Sequence, residues 1–135
     1  MIDPEKDVDG FHPVNLGRIV TGKVDGLLPC TPSAVIHMLE STGERLAGKK
    51  ALVVGRSRIV GMPTALLLAQ KGVDATVTIS HSQSHDLQGL CLDSDIIVAA
   101  VGRPGMIKSD WVKEDAIVID CLLYTSDAAD EEAWG

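Results

Sequence analysis

Apolar and polar positions along this chain alternate between two rhythms. An unbroken apolar run, Ala51-Leu52-Val53-Val54, predicts a buried parallel strand, and Asp95-Ile96-Ile97-Val98-Ala99-Ala100 and Ala116-Ile117-Val118-Ile119-Asp120 predict two more. A β-branched run, Ala75-Thr76-Val77-Thr78-Ile79, predicts a fourth. Between the first and the β-branched strand, Thr64-Ala65-Leu66-Leu67-Leu68-Ala69-Gln70-Lys71 is a run of strong helix formers. Pro63 suits its first turn and Gly72 its end. Upstream, Val35, Ile36 and Leu39 form the stripe of a helix opened by Pro29-Cys30-Thr31-Pro32, with Thr31 as N-cap, and ended by Thr42-Gly43. Shorter helical pieces are predicted over residues 86–90 and 107–112. Strands alternating with helices at these lengths predict an α/β fold with a doubly wound parallel sheet. Residues 11–29 break the rhythm with Pro13, Asn15, Gly17, Gly22, Gly26 and Pro29, and read as a long irregular stretch.

Composition narrows the picture. The chain's 135 residues make about one domain. Its residues are 45% apolar but only 3% aromatic, so the core consists of aliphatic side chains, as in a helix-covered parallel sheet. A net charge of −7 argues against a nucleic-acid or anionic-membrane partner, and no apolar run reaches membrane-spanning length. Cys30, Cys91 and Cys121 are odd in number and scattered, which predicts neither disulfides nor a zinc cluster and favours a reducing compartment. His81 and His85 lack a third ligand at suitable spacing, so no metal is expected.

The candidate chemistry lies between the first strand and its helix, in Gly55-Arg56-Ser57-Arg58-Ile59-Val60-Gly61-Met62-Pro63. A strand, a glycine-bearing turn and a helix N-terminus with open N–H groups suit a phosphate. Ser57 stands where the common G-x-G-x-x-G fingerprint has its middle glycine, so a plain βα turn explains this pattern equally well. About 20 residues on, where NAD-binding folds place a carboxylate for the ribose 2′-hydroxyl, the chain has Ser80-His81-Ser82. Small polar groups there, with Arg56 or Arg58, suit a 2′-phosphate and hence NADP; ordinary strand-end polar residues are the alternative. Val101-Gly102-Arg103-Pro104-Gly105 forms a second glycine-rich turn at a strand's carboxyl end, where open α/β sheets bind ligands. The opening segment from Met1 to Gly10 is polar and turn-rich, with neither a signal peptide nor a basic transit pattern, and looks unlike a native start. Asp7 and Asp9 alternate within it, as in a solvated acidic loop. Cys30 is either a reactive thiol beside a helix terminus or a small buried residue.

Several blocks now stand in order: Lys6-Asp7-Val8-Asp9-Gly10-Phe11, Pro29-Cys30-Thr31-Pro32, Gly55-Arg56-Ser57 through Val60-Gly61-Met62-Pro63, His81-Ser82 and Asp110-Trp111-Val112. Over about residues 2–120 they closely resemble the bifunctional methylenetetrahydrofolate dehydrogenase/methenyltetrahydrofolate cyclohydrolase family. The resemblance implies a Rossmann-like doubly wound parallel sheet, incomplete here, with a remnant of a second α/β domain. Residues 1–30 would be the end of the folate-binding catalytic domain and its linker, and residues 31–120 the NAD(P)-binding domain. It further implies an NADP-dependent enzyme of one-carbon metabolism, homodimeric and cytoplasmic, that interconverts tetrahydrofolates for purine biosynthesis. Such an enzyme oxidises 5,10-methylenetetrahydrofolate and hydrolyses the methenyl product to 10-formyltetrahydrofolate.

By the same resemblance, Asp9 would hold the pterin, with Asp7 supporting its loop. Gly55, Arg56, Ser57 and Gly61 would line the cofactor's phosphates and ribose, Ser82 with Arg56 would meet the 2′-phosphate, and His81 would be a further cofactor-binding residue. Pro29 to Thr31 would border the nicotinamide side of the cleft, opposite a wall shaped by Gly102 and Pro104. The family's catalytic lysine, in a Tyr-x-x-x-Lys motif, and its glutamine partner have no counterpart; Tyr124 is the sole tyrosine and no lysine follows it. The resemblance places both catalytic residues upstream of Met1. No residue of this chain is therefore assigned a catalytic role. A stand-alone NADP-binding module without catalysis, or another dehydrogenase with a similar cleft, are the competing readings. Residues 121–135 depart from the family and resemble a translated transposon-end sequencing adapter, the alternative being a natural acidic tail.

Overall fold

The computed structural model describes residues 13–22, 30–57, 59–101 and 106–121. Helices α1 (Pro13–Val20) and α2 (Cys30–Ser41) precede a regular alternation: β1 (Lys50–Val54), α3 (Gly61–Leu68), β2 (Thr76–Ser80), α4 (Leu87–Leu92), β3 (Ile96–Ala99), a 3₁₀ turn (Ser109–Trp111) and β4 (Ile117–Asp120). All pairings are parallel and the strand order is β2-β1-β3-β4. The predicted strands thus lie within a residue of the observed ones, and the sheet is of the expected class.

The two aliphatic faces of β1 explain the layering. Ala51 and Val53 face Val35 and Leu39 of α2 and Ala65 and Leu68 of α3. Leu52 and Val54 face the other way, onto Ile97, Cys91 and the partly buried Leu87, Leu90 and Trp111. Every residue of β3 and all but the first of β1 are buried, as continuous apolar runs require when helices cover both faces. The edge strand β2 instead alternates, presenting Thr76 and Thr78 to solvent.

The segment expected to be irregular holds α1. Pro13 opens the helix, where its missing N–H is harmless, and Gly17 occupies an exposed position, so neither breaks it. Ile19 is wholly buried, and the Gln70 amide beyond α3 donates to its carbonyl. Tertiary burial has outweighed the turn-forming composition. Asp86, expected as part of a helix, caps α4 instead: it sits at φ 56° and its carboxylate accepts the Gly89 N–H.

At the amino edge of the sheet, Asp95 ties three strands together. Its carboxylate accepts the Lys50 N–H at 2.9 Å and pairs with Lys113, while its carbonyl accepts the Ile117 N–H. Lys113, then the Lys50 N–H, hold its pKa below the ordinary 3.8, against a smaller opposing effect of desolvation. A depressed folded-state pKa contributes stability that is complete above the unfolded value and disappears as pH falls through the folded one. Asp95→Asn is therefore expected to cost about 1 kcal/mol at pH 7, the pair being partly exposed. The loss should shrink as pH falls below the ordinary 3.8 and through the folded-state value, where the carboxyl becomes neutral like the amide. Urea unfolding at pH 7 and pH 3 checks this, and an equal loss at both would remove the charge from the explanation.

Candidate functional site

The chain crosses from β1 to β2 through α3 on one face and from β2 to β3 through α4 on the other. The carboxyl ends of β1 and β3 therefore flank the point where the winding reverses, the crevice where open α/β sheets bind ligands.

Gly55 leaves β1 at that point with φ +115°, a conformation open chiefly to glycine. Its N–H donates to Ser80 O at 2.8 Å, binding the turn to the end of β2. A Cβ on Gly55 would lie 3.0 Å from Val101 Cγ1 and 3.1 Å from Ala100 O, so the turn is pressed against the chain leaving β3. Gly61 then packs on the same turn from the helix side: its Cβ would lie 2.6 Å from Gly55 C. Each glycine thus permits one close backbone approach.

Ser57 closes the turn. Its Oγ accepts the N–H groups of Val60 and Gly61 at 3.2 and 3.4 Å, and its carbonyl accepts the Met62 N–H at 2.9 Å. Pro63 has no N–H, and Thr64 N donates to Val60 O as the first bond of the helix ladder. The open N–H groups expected at the start of α3 are therefore turned inward onto Ser57. A short polar side chain two residues into the turn satisfies the donors that a ligand would otherwise meet.

The parallel register sets Val54 beside Ser80, so residues one and two places on, Gly55-Arg56 and His81-Ser82, share one corner of the sheet. Arg56 and Ser82 are exposed there. His81 is half-buried in a tight turn: its N–H donates to Ser84 Oγ, and its Nδ1 accepts the Gln83 N–H, which leaves the ring proton on Nε2. No carboxylate is among residues 80–84. Thr31 lies inside the first turn of α2, which starts one residue earlier than the expected N-cap position. Helices α2 and α3 pack against each other, and the segments that follow them meet around Glu40, Leu46 and Val73.

Six of the anticipated cofactor residues are thereby gathered at one corner: Gly55, Arg56, Ser57, Gly61, His81 and Ser82. Asp7, Asp9, Arg58, Gly102, Pro104 and the Cys30 side chain lie outside the described residues. So does Met1, the point upstream of which the catalytic lysine and glutamine are expected. Reasoning on the sequence missed Ser84, whose hydroxyl accepts the His81 N–H, and the part of the Ser80 carbonyl in holding the Gly55 turn. A cavity of about 450 Å³ opens nearby between the ends of β3 and β4 and residues 106–112, with Lys108 and Asp120 at its rim. No described residue of the glycine turn lines it. Burial pushes the Cys91 thiol up, and burial with the Asp120 charge pushes Cys121 up to about 11, so neither is an activated nucleophile. Among the described residues no group of three His, Cys, Asp or Glu could hold a metal ion, and no helix is long and apolar enough to cross a membrane.

A sequence profile of the tetrahydrofolate dehydrogenase/cyclohydrolase NAD(P)-binding domain matches residues 29–133. The chain belongs to this family. "Bifunctional protein FolD 2" of Geobacter sulfurreducens is 57% identical over 119 residues, covering 88% of this chain and 41% of that protein. "Bifunctional protein FolD" of Rhodospirillum rubrum is 54% identical over 131 residues, or 95% of this chain and 44% of the relative. The FolD crystal structure from Campylobacter jejuni superposes with a TM-score of 0.82 at 42% identity, covering 87% and 41% of the two chains. The Trypanosoma brucei FolD structure, complexed with NADP and an inhibitor, superposes with a TM-score of 0.80 at 42% identity, covering 87% and 40%. The chain thus spans about two fifths of the length of the curated FolD relatives it matches. What it carries is the family's NAD(P)-binding domain.

Proposed function

We propose that this chain is the NADP-binding part of a methylenetetrahydrofolate dehydrogenase/methenyltetrahydrofolate cyclohydrolase. The single observation that carries the choice of cofactor is the corner where Arg56 and Ser82 stand exposed with no carboxylate in the β2 turn. A free ribose 2′-hydroxyl calls for an acceptor there, and a 2′-phosphate for a cation and donors. The two close-packed glycines fit the group, because they clear side chains from the β1 turn. When bound, NADP supplies the hydride acceptor for oxidation of the methylene carbon.

The protein's part is to hold and orient. Arg56 and Ser82 take the 2′-phosphate, with His81 fixed beside them by Ser84 and Gln83. The Gly55–Gly61 turn shapes the floor under the diphosphate, and Thr31 borders the nicotinamide from α2. Asp9, steadied by Asp7, holds the pterin, with Gly102 and Pro104 on the facing wall. We assign residues 1–30 to the end of the folate-binding domain and linker, and residues 31–120 to the cofactor domain. A homodimeric, cytoplasmic full-length enzyme supplying purine biosynthesis completes this proposal, which rests on the family resemblance.

The chain as it stands carries no Tyr-x-x-x-Lys motif. It is expected to bind NADPH more tightly than NADH and to show no folate turnover. Fluorescence titration with both nucleotides, beside a dehydrogenase assay with 5,10-methylenetetrahydrofolate, tests both statements. Equal affinities would remove the NADP assignment. Turnover at about 1 per second or faster would place catalysis in residues present here.

A further inference from the structure

We infer that Ser57 is a positioning residue of the cofactor turn, acting as the latch that holds the head of α3. This rests on the cofactor reading of the same corner given above.

A serine hydroxyl offers two acceptor lone pairs and one donor proton. Both acceptor sites of Ser57 are used inside the turn, by Val60 N–H at 3.2 Å and Gly61 N–H at 3.4 Å. The Ser57 carbonyl takes a third donor, Met62 N–H at 2.9 Å. Ser57 therefore holds three consecutive N–H groups at the head of α3. It does so from a residue outside the helix, since Val60, at the N-cap position, makes no side-chain cap.

The geometry around Gly61 shows what the latch secures. Gly61 lies so close to Gly55 that even a methyl group has no room between them. Gly55 is in turn fixed to Ser80 and wedged against Ala100 and Val101. The hydroxyl of Ser57 thus closes a backbone loop whose two ends already touch. Arg56, next to it, stays exposed. In a fingerprint with a middle glycine the helix donors are left for the pyrophosphate. Here they are bound internally, and the turn presents a preset shape to whatever it holds.

This division of labour separates two kinds of loss. A direct partner of the 2′-phosphate matters for NADP alone, whereas a latch matters for every nucleotide that uses the turn. Ser57→Ala in the 135-residue chain is expected to weaken NADPH and NADH alike, each about fivefold, leaving their affinity ratio within twofold. Amide hydrogen exchange at Val60 and Gly61 should quicken in the same variant. Ser57→Thr, which keeps the hydroxyl, should restore both readings. Ser57→Cys, nearly isosteric with a weaker acceptor, should fall between and serves if the alanine variant does not fold.

A loss for either nucleotide with unchanged exchange at Val60 and Gly61 would overturn the inference and make Ser57 a phosphate ligand, of the 2′-phosphate if confined to NADPH and of the diphosphate if shared. If the unmodified chain binds neither nucleotide, the cofactor reading fails on its own. The exchange comparison then still decides the latch, unchanged protection in Ser57→Ala overturning it.

Discussion

Gly61→Ala is expected to lower the melting temperature by about 10 °C, although alanine is the better helix former. Two effects oppose each other at this position. Replacing a helical glycine by alanine gains roughly 1 kcal/mol in propensity. The added methyl, however, would enter the backbone of Gly55 and lie 3.0 Å from Arg56 Cα. Neither contact is the far end of a flexible side chain, so the turn itself must move. That movement breaks the Ser57 bonds to Val60 and Gly61 and the fit of Gly55 against β3. A net cost of about 3 kcal/mol follows, at the top of the usual range for overpacking because backbone has to yield. Spread over the unfolding entropy of a domain this size, it corresponds to the stated shift. Gly17→Ala supplies the comparison, since no atom lies within 4 Å of its new methyl and φ there is not positive. It should raise the melting temperature by about 3 °C. Thermal unfolding followed by circular dichroism reads both, and a stabilised Gly61→Ala would mean that the turn does not fold back on α3.

Arg56→Ala is expected to weaken NADPH binding about 30-fold while changing NADH by less than about threefold. The figure reflects one charge-assisted phosphate contact worth about 2 kcal/mol. Ser82, on the neighbouring turn, remains as a neutral donor, so some affinity for the phosphate survives. Raising salt from 50 to 500 mM should weaken NADPH in the unmodified chain far more than in the variant, because the lost contact is the screened one. Fluorescence titration of both nucleotides at two salt concentrations measures this. Equal losses for the two would move Arg56 from the 2′-phosphate to a part the nucleotides share, and unchanged values would remove it from the site.

The sheet was legible in the sequence because its rules are local. A parallel strand covered on both faces must be apolar throughout, and Leu52, Val53, Ile97 and Val98 make that visible without any partner. Helix α1 was not legible. Its proline and glycine are turn formers by composition, and what keeps it helical, the burial of Ile19 near α3, is a contact between segments far apart in the chain. The cofactor corner was half legible. Gly55 and Gly61 announce a tight turn, and the lack of a carboxylate after β2 is the feature on which the proposed 2′-phosphate site rests. The role of Ser57 was hidden, since its spacing to Gly61 matches a side chain pointing at a ligand as well as one folded back on the helix. Only the closed turn shows the Ser57 hydroxyl folded back on the head of α3. Thr31 illustrates a smaller limit, a helix start displaced by one residue, the scale on which boundaries ordinarily vary.

The place of β1 at the centre of the sheet also governs how the molecule comes to be assembled. Lys50 pairs with Thr76, and Ala51 with Ile96, so neither side of β1 can zip up from a hairpin. Each partner must arrive after an intervening helix, and chain entropy is lost before the ladder returns any of it. The smallest unit able to nucleate is β1, α3 and β2 together, with the glycine turn inside it. Until β3 docks, Leu52 and Val54 face water on the side that α4 will cover. A half-built sheet of this kind presents a bare apolar strand edge to its neighbours. The yield of native protein is thus set by a race between β3 docking and association of chains, in which dilution helps more than added stability.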